Sequence, residues 1–247
     1  MILFFIFLRV LSVLGGYNLF MHFIFILLLV IALLFGPQWW AQYTFRRYSK
    51  PLENLQGTGG ELARHLLDRF EMQHVKVEKS DPDSDHYDPN DMAVRLSPNN
   101  FDGKSLTAIA VAAHEVGHAI QHFRKEPLLA WRSRLAIFAN VVQKFGVSAM
   151  MVLPIVTALT HSPALAVLLF FIGIGSMFIA TLVHLVTLPV ETDASFNKAL
   201  PILESGYIEA EDIPKVRRIL RAAALTYLAG SLASLLNLWR WIAILRR

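Results

Sequence analysis

Four apolar blocks set the terms for this 247-residue chain: Phe20 to Phe35, Ala136 to Leu159, Ala164 to Leu188 and, more weakly, Ala222 to Leu245. Each approaches or exceeds the ~20 residues with which a helix crosses a hydrocarbon core. Inside a bilayer the backbone must satisfy its own hydrogen bonds, so blocks of this kind fold as helices. With 55% hydrophobic and 17% charged residues, the chain is too apolar for a typical soluble domain. It reads as a mainly α, integral membrane, multi-helix protein, with four crossings as the upper count. The apolar stretch Met1 to Leu14 is too short to cross alone; Gly15-Gly16 separates it from the first block, and an uncleaved anchor is its default reading.

Lys and Arg near the span ends set the orientation. Arg46, Arg47 and Lys50 follow the first block, whereas Thr160-His161-Ser162-Pro163, between the second and third, has no basic residue except the histidine. The soluble region up to Arg134 is therefore expected in the cytoplasm of a multi-pass protein of the cell (inner) membrane. Lys215, Arg217, Arg218 and Arg221 agree. A full crossing by the last block would put Arg246 and Arg247 outside, which a tilted or interfacial helix avoids. Five regions result: residues 1–40, an apolar segment and first span; 41–134, cytoplasmic; 135–188, a two-span hairpin; 189–221, a helix and basic segment; and 222–247, a membrane or interfacial helix. The net charge of +4 comes from residues clustered beside spans without an aromatic-interleaved stripe, which suits lipid headgroups and not nucleic acid. With no cysteine, disulfides and thiolate metal sites are excluded.

Within the cytoplasmic region, Val111 to Gln121 contains His114-Glu115-Val116-Gly117-His118, an H-E-x-x-H run. On a helix the two histidines stand about 40° apart around the axis and Glu115 within roughly 100° of both. Two neutral imidazoles one turn apart suit Zn²⁺, with room for a third protein ligand and a water. The glutamate between them can serve as the base that takes the water's proton. Ser105 caps the expected helix, which runs to Phe123 without proline. Three polar groups buried in such an apolar helix need partners, and one metal ion supplies a common one.

The third ligand separates the classes of zinc peptidase. A metzincin would need glycine at Gln121 and histidine at Arg124, and neither is present. A downstream carboxylate fits better. Pro189 suits an early helical position, after which Glu191, Ala194, Ser195 and Lys198 share a face. Glu191 is the candidate ligand; Asp193, about 200° away around that helix, faces elsewhere. A two-span hairpin returns Glu191 to the side of the H-E-x-x-H helix.

These motifs carry a resemblance. His114 to Gln121, preceded by His86-Tyr87-Asp88-Pro89 and Val94-Arg95-Leu96-Ser97-Pro98 and followed by Thr187 to Ser195, resembles the YugP-like family of membrane neutral zinc metallopeptidases from about Tyr43 to about Leu236. The resemblance implies that His114, His118 and Glu191 bind one zinc ion in the manner of gluzincins and that Glu115 is the catalytic base. Related membrane peptidases carry Glu-x-x-Ala-Asp around the third ligand; here Ser195 holds the last position, where it can still hydrogen-bond a ligand histidine, and Thr192 stands where an aromatic residue is expected.

Around the site, Gly60 to Glu71 reads as an amphipathic helix, and His74 to Glu78 with Met92 to Leu96 as a two-stranded sheet. Together with the H-E-x-x-H helix they form a small α+β, zincin-like subdomain. Ala93, Val94, Arg95 and Leu96 are expected to align an extended substrate by backbone pairing. His122 and His184 lie at helical spacing from the ligands. His184 is a candidate to contact a ligand or gate substrate, and Tyr227 or Arg221 to stabilise an oxyanion. Asp85, His86 and Asp88 read as a loop cap or Asx turn, and Met150-Met151 and Phe170-Phe171 as span packing or lipid contact. The expected function is a membrane-embedded zinc endopeptidase acting on extended or membrane-proximal polypeptide. The alternative is a noncatalytic, zinc-stabilised membrane scaffold or chaperone, which would need the metal but not Glu115.

Overall fold

The computed structural model describes residues 16–226, apart from a few side chains within the long helices, that of His184 among them. Met1 to Leu14, Tyr227 and most of the Ala222 to Leu245 block lie outside the described residues. The elements are α1 (Gly16–Tyr48), α2 (Gly59–Arg69), β1 (Lys76–Lys79), β2 (His86–Asp88), β3 (Ala93–Leu96), α3 (Pro98–Phe101), α4 (Leu106–Phe123), α5 (Pro127–Thr160) and α6 (Pro163–Thr192). A π-helical turn (Asp193–Ala199) and α7 (Leu200–Glu204) follow, and a last helix is described over residues 213–226.

Helix α2 starts at a capping box: the Glu61 amide donates to Thr58 Oγ1 at 3.2 Å, and the Thr58 amide donates to Glu61 Oε2 at 2.8 Å. Its face of Leu62, Leu66 and Leu67 is buried against α4. Helix α4 begins where the Ala108 amide donates to Ser105 Oγ at 3.2 Å. All but three of its eighteen residues are buried, because α2, the sheet, the π-helical turn and the 213–226 helix pack around it. A helix walled on this many sides holds its side chains in fixed rotamers, which a metal site requires.

The sheet has three strands and not two, in the order β1-β3-β2, with β1 parallel and β2 antiparallel to β3. The additional strand, His86–Asp88, is three residues long and bounded by Asp and Pro, so its sequence reads as a turn. Arg95 ties the strands together, donating to Glu78 at 3.2 Å, to Asp88 at 2.6 Å and also to Asp91. The expectation for Ala93–Leu96 changes as a result. It is the central strand, with β1 on one backbone edge and β2 on the other, so it has no free edge for a substrate. The outer edges of the sheet are those of β1 and β2.

Pro127 and Pro163 open α5 and α6, and His161 closes α5 in the left-handed region at φ 49°. The two helices pack as a hairpin with apolar outer faces; Trp131, Ile137, Phe145 and Met151 are all exposed, as is Phe171. Among the described residues, α5 is the one helix long and apolar enough to cross a membrane, with a mean hydropathy of 1.6 over a window only 11% buried; Pro163–Ser176 is a shorter apolar stretch. Pro189 does not begin a helix. Helix α6 continues through it to Thr192 and widens into the π-helical turn.

Candidate metal centre

His114 and His118 project from one face of α4, and Glu191 from the last turn of α6. Glu191 Oε2 lies 3.2 Å from His114 Nε2 and 3.2 Å from His118 Nε2. The three ligand atoms all fall within 4.8 Å of one another. The imidazoles stand edge to face, with centroids 4.7 Å apart and an interplanar angle of 81°. Two donors held 2.0–2.1 Å from a tetrahedral zinc are separated by about 3.3–3.4 Å, close to the spacing seen here. Two imidazole nitrogens and one carboxylate oxygen are also the donor types that zinc takes. These residues fit the ion.

Burial sharpens the electrostatics. Glu191 is 1% exposed, and burial alone would raise its pKa, but hydrogen bonds and charge attraction from His114 and His118 hold it well below the usual carboxylate range. For His118 burial favours the neutral ring, yet contact with Glu191, the Glu115 charge and Gln121 push its pKa up. Glu115, also buried, is pushed up chiefly by burial; His114 and His118 oppose this, while Glu191 and Asp85 add to it. A glutamate raised in this way accepts a proton more readily than one in water.

Each histidine is held from behind. Gln121 donates through Nε2 to the Val190 carbonyl at 3.0 Å and to Asp193 Oδ2 at 2.8 Å, so its Oε1 accepts from His118 Nδ1 at 2.9 Å. That fixes the His118 proton on Nδ1 and leaves the Nε2 lone pair facing the centre. Ser195 Oγ sits 3.0 Å from His114 Nδ1 and orients the other ring. Asp193 in turn contacts Lys198, which is buried and reaches Glu126 at 3.0 Å, the residue that precedes α5. The π-helical turn packs directly on α4, and Gly117 permits this. A Cβ there would lie 2.8 Å from the Ala194 carbonyl oxygen.

Glu115, His118 and Glu191 open on a cleft of about 90 Å³, also lined by His86, Tyr87 and Arg132. Arg132 Nη2 is 3.8 Å from Glu191 Oε1. The β2 segment thus borders the site, whereas His122 does not line the cleft and has its Nδ1 2.7 Å from the Tyr87 hydroxyl. Burial, with a smaller contribution from the Asp88 charge, pushes that hydroxyl up to about 12. Asp88 accepts from the Asn90 amide at 2.9 Å in an Asx turn. Asp85 accepts from the Ser97 amide at 2.7 Å and anchors the β1–β2 loop. Arg221 is exposed on the last helix and does not line this cleft, and Tyr227 and the His184 side chain lie outside the described residues. Gln121, Lys198, Arg132 and the β2 edge have roles that sequence reasoning missed. The i,i+3 spacing of His118 and Gln121 was the available signal for the first.

The profile of the family described as "Putative neutral zinc metallopeptidase" matches residues 23–246. The protein described as "Putative membrane protease YugP" from Bacillus subtilis (strain 168) is 36% identical over 227 residues, which cover 91% of this chain and 96% of that relative. No solved structure matches the chain. A match of this extent, joined to a buried His-His-Glu cluster spaced for one ion, places the chain in the neutral zinc metallopeptidase family.

Proposed function

We propose that the protein is a membrane-embedded zinc endopeptidase in which His114, His118 and Glu191 hold the ion and Glu115 is the general base. The observation that carries this reading is the convergence of three buried donors, with Glu191 Oε2 3.2 Å from each imidazole Nε2 and all three within 4.8 Å of one another, and with Glu115 opening on the same cleft. When bound, zinc acts as a Lewis acid that lowers the pKa of a coordinated water to about 7 and polarises the scissile carbonyl. Glu115 takes a proton from the attacking water and delivers it to the leaving amine. Gln121 and Ser195 keep both imidazole Nε2 lone pairs turned inward throughout. Arg132, half-exposed at the cleft mouth, offers guanidinium donors to the developing negative charge on the carbonyl oxygen, the role for which the sequence suggested Tyr227 or Arg221. The backbone edge of β2 is the surface beside the cleft on which an extended segment can pair.

The multi-pass arrangement with the site at the cytoplasmic interface belongs to the same proposal. It is supported by the Arg46, Arg47 and Lys50 cluster and by the apolar outer face of the α5–α6 hairpin, from which Glu191 and Arg132 enter the site at adjacent ends. Glu115→Gln separates this reading from a zinc-stabilised scaffold. The variant is expected to keep its zinc and its unfolding midpoint and to lose cleavage of an unstructured protein substrate by at least 10²-fold. Cleavage that survives at the wild-type rate with metal retained would remove the peptidase reading.

A further inference from the structure

A groove leads away from the metal centre along α4, apolar in its middle part, where Val111, Ile219, Leu220 and Ala223 line it, and hydrophilic beyond. Glu115 borders the small cleft described above and also a second one of about 160 Å³ floored by Phe45, Asp85 and Val111. The same three residues line a third and larger groove of about 560 Å³ between the end of α1 and the β1–β2 loop. The three spaces therefore adjoin. Their common floor is one face of α4, where Glu115, Val111 and Thr107 follow at intervals of four residues. At 1.5 Å per residue these positions span about 12 Å, the length of three to four residues of extended chain at about 3.3 Å each.

The walls of the large groove are hydrophilic. Gln38 and Gln42 from α1 face Asp83 and Asn99 from the opposite side, all exposed. Amide side chains carry both donors and acceptors and so match a peptide backbone. An apolar segment laid here would strip them of water without returning a hydrogen bond. The floor is rigid, because Thr107 Oγ1 donates to the Phe45 carbonyl at 2.9 Å and Asp85 is held by Ser97 and by Asn100 Nδ2 at 2.8 Å. On the other side of the metal the small cleft opens towards Leu129 and Arg132 at the start of the α5–α6 hairpin.

We propose that this groove is a substrate-binding site for three to four residues on one flank of the scissile bond, the outermost of them hydrophilic, which makes the substrate an extended polypeptide with a polar outer flank. The proposal rests on the zinc endopeptidase reading. It is tested on the zinc-loaded, full-length Glu115→Gln protein in detergent, using fluorescent peptides with a constant centre and flanks of none, two, four or six Ser/Asn residues on either side. Affinity is expected to rise by about tenfold as one flank grows to four residues, the effect of two or three modest hydrogen bonds, and then to level off. Leucine flanks of the same length gain less. Adding Gln42→Trp, or independently Asn99→Trp, abolishes the gain from long flanks. Affinity independent of flank length on both sides, or a gain unaffected by both tryptophans, would overturn the groove assignment. Turnover by the unmodified protein keeps the two readings apart: peptides bound with the predicted length dependence but never cut would sink the peptidase reading and leave the groove standing, and efficient cleavage indifferent to flank length would do the reverse.

Discussion

Gln121 is the residue whose removal most clearly tests how the metal centre is held. It is 1% exposed and bonds to His118 Nδ1, to the Val190 carbonyl and to Asp193. Gln121→Met preserves volume and chain length but removes all three contacts. Val190 still accepts the Asp193 amide, and Asp193 still has Lys198 and Asn197. The His118 Nδ1 proton alone loses its partner. One buried unsatisfied donor costs about 1–3 kcal/mol, and the loss of a hydrogen bond behind a ligand histidine typically costs 10–100-fold in metal affinity, or about 1.4–2.7 kcal/mol. The two figures agree, so the whole effect is expected at zinc binding. Competition with a chromophoric chelator measures it: zinc affinity should fall 10–100-fold while the far-UV circular dichroism is unchanged. An unchanged zinc affinity in Gln121→Met would refute the claim that this amide fixes the His118 tautomer.

Ser195→Ala, acting on the other imidazole, should weaken zinc about tenfold in the same titration; no change would mean that the Ser195–His114 contact does not orient the ring. Gly117→Ala pushes a methyl against the Ala194 carbonyl and should cost about 1–3 kcal/mol of stability together with zinc occupancy. Gly36→Ala, with nothing within 4 Å of the added Cβ, serves as its control in thermal unfolding. The metal-free protein should show an acid limb from Asp193. Burial alone would raise this carboxyl, but Lys198, Gln121 and Asn197 hold it down at about 2. Its contribution is complete above the unfolded value near 3.9 and is lost as pH falls through about 2, so Asp193→Asn should flatten the stability profile between about pH 4 and 2.

How much of this was legible depends on the range of each interaction. His114, Glu115 and His118 are local, and helical periodicity alone turns them to one side. Glu191 lies more than seventy residues on, yet an acid beside a long apolar block is conspicuous because its charge needs a partner. The start of its helix is not legible. Pro189 looked like a beginning, but α6 carries it internally, where neighbouring packing tolerates the missing donor. The Ser195–His114 contact follows from the resemblance, which puts a carboxylate at that position where a serine can still hydrogen-bond a ligand histidine. In the sequence Gln121 marks only the absence of the metzincin glycine, since its partners Val190 and Asp193 arrive with the end of α6 and the start of the π-helical turn. A three-residue strand between turn residues has too little pattern to read, and missing β2 assigned the free sheet edge to Ala93–Leu96. The edge beside the cleft belongs to His86–Asp88 because Arg95 draws Glu78 and Asp88 to both sides of the central strand.

A single zinc ion on His114, His118 and Glu191 underlies the proposed chemistry. X-ray absorption at the zinc edge of the loaded protein, compared with Glu191→Ala, tests it most directly. One ion per chain is expected, with two imidazole nitrogens and oxygen donors at about 2.0–2.2 Å, and a weakened, altered oxygen shell in the variant. A spectrum unchanged by Glu191→Ala, or one that requires three or more imidazoles, would contradict it.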